Sequence, residues 1–301
     1  MTGRPTLSVT VSGLTRLFGD DLAGVLDVAR AADEAGVHQL VMPDHVVMGA
    51  RTDRYPFGKF PYPPSEPWLE AMTTLAAMAG VTSRVRLGTG VLIAPLRPVT
   101  LLAKTVATLD VLSRGRVDLG VGTGWQREEF TEPGMAFAGR GARMDDALRA
   151  CRALWEQEQP VSFSSPTADF SEVWCLPRPV QPRVPIWFGG GPTDTTLARI
   201  AELGDGWLPL GVTLDEIAVF VERLRGAFRE RGRDPSALGV RLPLRALANA
   251  QGGADLDAMV ASASELAAAG ITSVSVTLGP SVRSVDDVAP FLADLAAAFA
   301  A

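Results

Sequence analysis

Cysteine and histidine are scarce in this sequence, which has two of each among its 301 residues. Cys151 and Cys175 lack the CxxC spacing of redox and zinc sites, so we expect reduced thiols with structural roles. His38 and His45 are too few for a histidine-rich metal centre. We predict no metal, although this count leaves carboxylate-rich magnesium sites open.

An excess of basic over acidic residues and long apolar runs are also absent. The formal net charge is −6 and the sequence pI is about 5.1, which argues against a nucleic-acid-binding surface. No apolar run approaches the roughly 18 residues that span a bilayer, and residues 1–10 lack a cationic segment followed by a long apolar one. We therefore expect a cytoplasmic protein with neither nucleic acid nor membrane as a partner.

Short β-branched apolar runs alternate with helical patterns along the whole chain, which is typical of parallel βα units. The predicted strands are residues 7–12, 39–43, 85–91, 116–122, 185–188, 206–210, 239–244 and 271–278. The predicted helices are residues 20–35, 67–80, 98–112, 142–157, 192–203, 214–231, 255–269 and 285–300. Eight such pairs predict a single α/β domain over residues 1–301, a (β/α)8 TIM barrel; a doubly wound open sheet is the alternative.

Two segments interrupt this alternation. Residues 46–66 form a long loop rich in proline and aromatic residues after the second strand, and residues 159–184 form a proline-rich, irregular insertion before the fifth. We expect the first either to close over a ligand bound at the strand ends or simply to pack as a loop.

The carboxyl ends of the strands carry function in such barrels, and the amino ends carry stability. His45 follows the second strand at its carboxyl end, whereas His38 precedes it. We therefore predict a functional role for His45 and a structural one for His38.

Glycines mark three further strand ends, at residues 87–91, 120–124 and 188–191. A glycine without Cβ lets a flat ring or a phosphate approach the backbone, but glycines also fill crowded barrel ends. Gly189, Gly190 and Gly191 lead through Pro192 and Thr193 into a predicted helix, which makes this loop a candidate phosphate site. The GxGxxG and GxxxxGK[ST] motifs of other nucleotide-binding folds are absent.

Five blocks of sequence resemble the luciferase-like monooxygenase superfamily, and within it the F420-dependent oxidoreductases. They are LGTGVLIAP at 87–95, LLAKTVATLDVLSRGR at 101–116, LGVGTGWQREEF at 119–130, PIWFGGG at 185–191 and LGDGW at 203–207. The resemblance spans nearly the whole chain. It implies the barrel fold, a bound coenzyme F420 or FMN, and a non-prolyl cis peptide between Gly90 and Val91.

The same resemblance implies particular site residues. Asp44 would touch the deazaflavin, and His45 would lie beside the carbon that takes part in hydride transfer and would handle a proton. The remaining cofactor-binding candidates lie at the three glycine-bearing strand ends: Thr89, Gly90, Val91, Gly122, Thr123, Gly124, Trp125, Gly189, Gly190, Gly191 and Thr193.

The sequence departs from the sugar-phosphate dehydrogenase branch, where an acidic residue follows the strand-four Gly-Thr-Gly. Trp125 occupies that place here, which argues against a glucose-6-phosphate substrate. Glu128 and Glu129 could supply a carboxylate, but we expect them to form the solvated start of a helix. Of Trp68, Trp125 and Trp207, we expect only Trp125 to line the pocket, because tryptophans are more often core anchors.

We therefore predict an oxidoreductase that transfers a hydride between F420 and a small organic substrate. The alternatives are an FMN-dependent monooxygenase that receives reduced flavin from a partner reductase, and a non-catalytic flavin- or deazaflavin-binding protein. A homodimer, and a reductase that supplies reduced cofactor, are further expectations from the resemblance.

Overall fold

The computed structural model describes residues 4–13, 15–247, 254–282 and 284–300. Eight parallel strands lie in its barrel: β1 (Thr6–Thr10), β2 (Gln39–Met42), β3 (Arg86–Thr89), β5 (Val117–Gly122), β8 (Ile186–Gly190), β9 (Gly206–Pro209), β10 (Gly239–Pro243) and β11 (Ser273–Thr277). A two-residue strand, β4 (Leu92–Ile93), pairs with the carboxyl end of β5.

The barrel closes where β1 pairs with β11, with Thr6 opposite Ser273 and Thr10 opposite Thr277. On the other side β3 pairs with β5, with Leu87 opposite Val117. These two pairings turn the sheet into a ring in the order β1, β2, β3, β5, β8, β9, β10, β11. The predicted TIM barrel is confirmed, and the open sheet is wrong.

Eleven helices are described around and between the strands: α1 (Thr15–Phe18), α2 (Val25–Ala35), α3 (Ala71–Val81), α4 (Val99–Leu112), α5 (Glu128–Thr131), α6 (Arg140–Glu156), α7 (Asp194–Glu202), α8 (Leu214–Glu230), α9 (Leu256–Ala268), α10 (Leu278–Ser281) and α11 (Val288–Ala300). Among them, α2 ends as predicted at Gly36, which adopts the left-handed conformation with φ +79°. No described helix is both long and apolar enough to cross a membrane.

Three predicted boundaries are wrong. Helix α3 begins at Ala71 instead of Pro67, because the side chain of Glu70 caps it by accepting a hydrogen bond from the Thr73 N–H at 2.7 Å. Helix α2 begins at Val25, five residues later than predicted, and α11 begins at Val288. Before α2 and α11 the apolar periodicity begins in 3-10 turns, Leu22–Gly24 and Val285–Asp287, so the α-helical part is shorter than the pattern.

The insertion at residues 159–184 is more regular than predicted. Strands β6 (Val161–Ser164) and β7 (Asp169–Val173) pair in it as an antiparallel hairpin. Phe163 and Phe170 lie opposite each other with ring centroids 5.8 Å apart, and such cross-strand aromatic pairs stabilise a hairpin.

Asp33 fastens the end of α2 to the start of β3. One carboxylate oxygen accepts the N–H groups of Arg84 and Val85, both at 2.7 Å, and the other accepts the N–H of Ser83 at 3.0 Å. Burial opposes ionisation, but these hydrogen bonds outweigh it and lower the pKa of Asp33 below its usual 3.8.

An Asp33→Asn variant should lose about 1–3 kcal/mol of unfolding free energy at neutral pH, because its amide presents a donor to backbone N–H groups. The folded-state pKa is lowered, so the stabilisation is present above the usual pKa and is lost as the pH falls through the lowered one. The difference from the wild type should therefore shrink below about pH 4. Urea unfolding across pH measures it, and Asp27→Asn, at an exposed position of the same helix, should change little. A difference that stays constant with pH would contradict the linkage.

Candidate active site

A cavity of about 460 Å³ opens at the carboxyl ends of the barrel strands. Ligand pockets for cofactor-sized molecules have volumes in this range. Most of the residues predicted from the sequence line it: Asp44, His45, Gly90, Val91, Gly122, Thr123, Gly124, Trp125, Gly189 and Gly190. Thr89 lies buried beneath this surface, and Gly191 and Thr193 continue the chain from its edge.

The peptide bond between Gly90 and Val91 is cis, as the resemblance implied. It places Val91 against two glycines of the neighbouring strands. A Cβ added to Gly122 would lie 2.6 Å from a methyl of Val91, and one added to Gly189 would lie 2.9 Å from the other methyl. The glycines at these two strand ends therefore give room to a protein side chain that lines the cavity.

Thr89 and Gly120 hold the base of the same bulge. The Thr89 hydroxyl donates to the Gly120 carbonyl at 2.6 Å, and a Cβ added to Gly120 would lie 2.0 Å from the Thr89 carbonyl oxygen. The Thr89 side chain is thus engaged with the neighbouring strand, away from the cavity.

A Gly120→Ala variant should lose about 1–3 kcal/mol of unfolding free energy, because its methyl collides with backbone that cannot rotate aside. The matched control is Gly191→Ala, where an added Cβ meets nothing within 4 Å. Denaturant unfolding of both variants tests the prediction. Equal stabilities for the two would contradict the packing described for β3 and β5.

His45 and Glu129 form a hydrogen-bonded pair in the wall of the cavity. His45 Nδ1 lies 3.0 Å from Glu129 Oε1, which also accepts the backbone N–H of Val46 at 3.2 Å. The Glu129 side chain is fully buried, and that of His45 is 10% exposed. Because a carboxylate only accepts hydrogen bonds, the neutral ring carries its proton on Nδ1 and keeps Nε2 as an acceptor.

Glu129 is the functional candidate that the sequence interpretation missed. We expected Glu128 and Glu129 to be the solvated start of a helix, and for Glu129 this is wrong: the chain after β5 turns inward, and helix α5 carries its side chain to His45. Glu128 is 38% exposed. The sequence around Glu129 is charged, QREEFTE at residues 126–132, and apart from the adjoining Phe130 it carries no signal that this carboxylate is buried.

Asp44 makes its contacts inside the protein. Its side chain is fully buried, with one oxygen 2.7 Å from Arg97 Nη1 and the other 3.0 Å from Nη2, and it accepts the Ile93 N–H at 2.8 Å. Burial opposes the charge on Arg97, but Asp44 and Glu70 raise its pKa above the usual value. The carboxylate therefore orders the turn after the cis bond, and only the backbone of Asp44 is left to meet a ligand.

Aromatic side chains line the cavity together with the Gly90–Val91 bulge. His45 packs edge-on against Trp68, with ring centroids 4.7 Å apart, and lies 6.4 Å from Trp125. The loop 46–66 supplies the remaining rings of this aromatic wall, which are Tyr55, Phe57, Phe60 and Tyr62. The loop thus lines the cavity, and so does Trp68, contrary to our prediction for that residue.

Trp207 is a core anchor, as predicted. It has no exposed surface, packs on Phe220 with ring centroids 4.7 Å apart, and donates its indole N–H to the Gly190 carbonyl at 2.9 Å. This hydrogen bond fixes the backbone of the glycine loop that follows β8.

Charged and polar side chains lie at the floor of the cavity, inside the barrel. Arg86 binds both carboxylate oxygens of Asp118, at 2.7 and 2.6 Å, and Gln39 donates to the same carboxylate at 2.6 Å. Arg241 donates to Gln39 and lines the cavity. Burial lowers the pKa of Arg241 to about 10, against the opposing effect of Asp118. The sequence indicates this network, because Gln39, Arg86 and Asp118 are polar residues within otherwise apolar predicted strands.

The candidate phosphate loop leads into α7 as predicted. Gly190 has φ +155°, and the Thr193 hydroxyl caps the helix by accepting the Thr196 N–H at 3.1 Å. Asp194 in the first turn binds Arg223 at 2.6 Å, so its charge is partly neutralised. Among the described residues, no group of three or more metal-type side chains is placed to hold an ion.

Comparison with known proteins agrees with this architecture. Residues 4–251 match the family model for luciferase-like monooxygenases. A protein of Mycobacterium tuberculosis (strain ATCC 25618 / H37Rv) is 32% identical over 278 residues, which are 90% of this chain and 92% of the relative. The F420-dependent glucose-6-phosphate dehydrogenase of Kineococcus radiotolerans is 35% identical over 210 residues, covering 68% of this chain and 56% of that protein.

Two solved structures share the fold. An F420-dependent secondary alcohol dehydrogenase, in complex with an F420–acetone adduct, superposes with a TM-score of 0.76 at 17% identity and covers 98% of this chain and 99% of that one. A monooxygenase from Streptomyces bottropensis superposes with a TM-score of 0.74 at 22% identity, covering 97% of this chain and 98% of its own.

Proposed function

Because this chain belongs to the luciferase-like monooxygenase family, whose members are oxidoreductases or monooxygenases, we propose that it transfers a hydride between coenzyme F420 and a small, uncharged organic substrate. The observation that carries this proposal is the His45–Glu129 pair, which lies in the wall of the cavity where aromatic rings pack around His45. A proton acceptor in such surroundings suits the interconversion of an alcohol and a carbonyl group.

The cavity fits a flat tricyclic ring. Val91, the glycines beside it and the aromatic wall all line this cavity, and their apolar surfaces suit the faces of such a ring. Gly189 and Gly190 lead from this surface to the start of α7, where N–H groups would hold a phosphate. When bound, F420 supplies a two-electron hydride donor or acceptor.

His45 supplies the proton chemistry. Glu129 holds Nδ1 protonated and the ring in one orientation, so Nε2 is the atom that takes a proton from a substrate hydroxyl or returns it to a carbonyl oxygen. Asp44 and Arg97 keep the adjoining turn in place without facing the reaction. The aromatic wall excludes water from the reacting groups.

The lining also defines the class of substrate. Trp125, Trp68 and Phe60 surround His45 with apolar surface. Beside His45 the anion of a charged sugar phosphate would meet these rings, and burying it there would carry a high desolvation cost. We therefore propose an apolar secondary alcohol, or the matching ketone, as the substrate class.

The choice of F420 over FMN rests on the relatives. The similar Kineococcus radiotolerans protein uses F420, whereas the Streptomyces bottropensis neighbour is a monooxygenase. An FMN-dependent monooxygenase is therefore the second candidate, because the same fold serves both chemistries.

Titration of the purified apo-protein with F420 and with FMN in one buffer, followed by cofactor fluorescence, tests the proposal. We expect micromolar or tighter binding of F420 and at least about tenfold weaker binding of FMN. The reverse preference would favour the monooxygenase. Binding of neither would contradict the cofactor site.

A further inference from the structure

A buried arginine forms part of the cavity floor. Arg241, on β10, lines the cavity although only 6% of its surface is exposed. Its guanidinium reaches across the inside of the barrel to β2 and β3, where it donates to the side-chain oxygen of Gln39 and lies 3.4 Å from the Thr89 carbonyl oxygen. A Cβ added to Gly90 would lie 3.3 Å from Arg241 Nη2. The guanidinium therefore lies at the base of the Gly90–Val91 bulge.

The Arg241 guanidinium has no carboxylate of its own. Both oxygens of the floor carboxylate, Asp118, are bound by Arg86, and the hydrogen-bond partners of Arg241 in the described part of the chain are uncharged. Asp118 opposes the burial that lowers the pKa of Arg241, but it does not cancel that effect. Two guanidinium groups and one carboxylate leave the floor with one positive charge in excess. An anion that enters the cavity would compensate this buried charge.

Hydroxyl groups on the neighbouring strands extend the polar floor. Ser275 and Thr277 on β11 and Thr10 on β1 line the cavity, and β11 lies between β10 and β1 in the barrel. None of these three hydroxyls has a hydrogen-bond partner within the residues that the structure describes. Because a hydroxyl both donates and accepts, this side of the cavity suits a ring edge that carries carbonyl and N–H groups.

We propose that Arg241 stabilises the anionic form of the oxidised deazaflavin ring of F420, bound against the Gly90–Val91 bulge. The inference rests on the proposed function. The 8-hydroxyl of this ring loses its proton readily, because conjugation shares the negative charge with the carbonyl groups of the pyrimidine edge. Whichever end of the ring faces the floor therefore carries part of the charge. A neighbouring positive charge favours the ionised form of such a group.

This role of Arg241 separates the two candidate cofactors by the charge of the ring. The oxidised ring of FMN has no 8-hydroxyl and is neutral near pH 7, so it leaves the buried guanidinium uncompensated. The oxidised ring of F420 brings a negative charge to the same place. Arg241 therefore adds affinity for F420 that FMN does not gain, and it lowers the pH at which the bound ring takes up its proton.

The other titratable groups that line the cavity are Asp44, His45, Tyr55, Tyr62 and Arg140. Asp44 is ion-paired and His45 is hydrogen-bonded within the protein. Burial raises the pKa of both tyrosines, so they stay neutral near pH 7. All five are unchanged in the variants below, so a difference between variants reports the charge of the floor.

The test is a pH titration of the absorbance of F420 bound to the purified protein, because ionisation of the 8-hydroxyl moves the visible band to longer wavelength. In Arg241→Gln the pKa of the bound ring should be at least about one unit higher than in the wild type. Arg241→Lys keeps the charge and should restore most of the difference. Arg229→Gln, which neutralises an exposed arginine in the last turn of α8, should match the wild type.

Neutralising the floor carboxylate should move the same pKa in the opposite direction. Asp118→Asn removes the negative charge and leaves both guanidinium groups, so the pKa of bound F420 should fall below the wild-type value. Damage to the ring site would not give shifts of opposite sign in the two variants. If the Arg241 variants do not fold, Asp118→Asn decides, and an unchanged or raised pKa would overturn the proposal.

Binding of FMN supplies the second readout. At a pH where the ring is ionised, Arg241→Gln should bind F420 at least about tenfold more weakly and FMN as the wild type does. Equal weakening of both cofactors, or an unchanged pKa of bound F420, would show that Arg241 does not stabilise the anion, while the proposed function stands. If the wild type does not bind F420, the proposed function is wrong and the inference falls with it.

Discussion

A His45→Ala variant is expected to bind F420 as the wild type does and to turn over at least about a hundredfold more slowly. General acid–base catalysis by a positioned side chain contributes about 10²–10⁴ in rate, and His45 lines the cavity with its Nδ1 held by Glu129. The measurement is the rate of F420 reduction by the best alcohol of an apolar panel, together with the dissociation constant of the cofactor.

His38→Ala is the matched control, because His38 is exposed and lies before β2 at the opposite end of the barrel. It should leave the rate unchanged.

Glu129→Gln keeps a hydrogen-bond acceptor for the Val46 N–H and removes the charge of the carboxylate. Its rate should therefore fall less than that of His45→Ala, by about tenfold. In the double variant His45→Ala, Glu129→Gln the second change should add nothing, because Glu129 acts through His45. A normal rate for His45→Ala would refute the assigned role.

An Asp118→Ala variant is expected to lose about 3–5 kcal/mol of unfolding free energy, because removing one partner of a buried pair leaves uncompensated charge. Asp118 is the acceptor for both Arg86 and Gln39, and it opposes the burial that lowers the pKa of Arg241. Removing Asp118 therefore takes the neighbouring negative charge away from the nearly fully buried guanidinium of Arg241 and from the partly buried guanidinium of Arg86.

Urea unfolding measures this loss, with Glu202→Gln as the control. Glu202 pairs with Arg149 where both side chains are more than 40% exposed, and such surface pairs contribute about 0–1 kcal/mol. A loss from Asp118→Ala no larger than that of the control would show that the network inside the barrel is not stabilising. Asp118→Asn, which keeps two of the hydrogen bonds, should fall between the two.

The barrel was predictable because its signals are local. Each strand is a short β-branched run, the glycines at the strand ends recur, and His45 follows its strand directly, so counting elements placed it in the cavity. The cis bond between Gly90 and Val91 followed from the resemblance. Membership of the family and the barrel are both confirmed.

The errors concern contacts between distant segments. Glu129 meets His45 across 84 residues of sequence, and Asp44 meets Arg97 across 53. The path of the chain after a strand decides which carboxylate is buried. No local sequence pattern predicts that path. Gly122 and Gly189, which pack against Val91, show the same limit, because their sequence suggested room for a cofactor and their packing shows room for a valine. The homodimer, the cytoplasmic location and the reductase partner stay predictions.

The two sides of the cavity are built from different kinds of chain. The bulge at Val91 is locked between strands whose glycines admit no larger residue, while most of the opposing rings belong to one surface loop, residues 46–66. Loops accept substitutions and changes of length far more readily than barrel strands. An engineer, or natural divergence, can therefore exchange that loop to change which molecules the cavity admits, while the strand ends around Val91 are inherited unchanged.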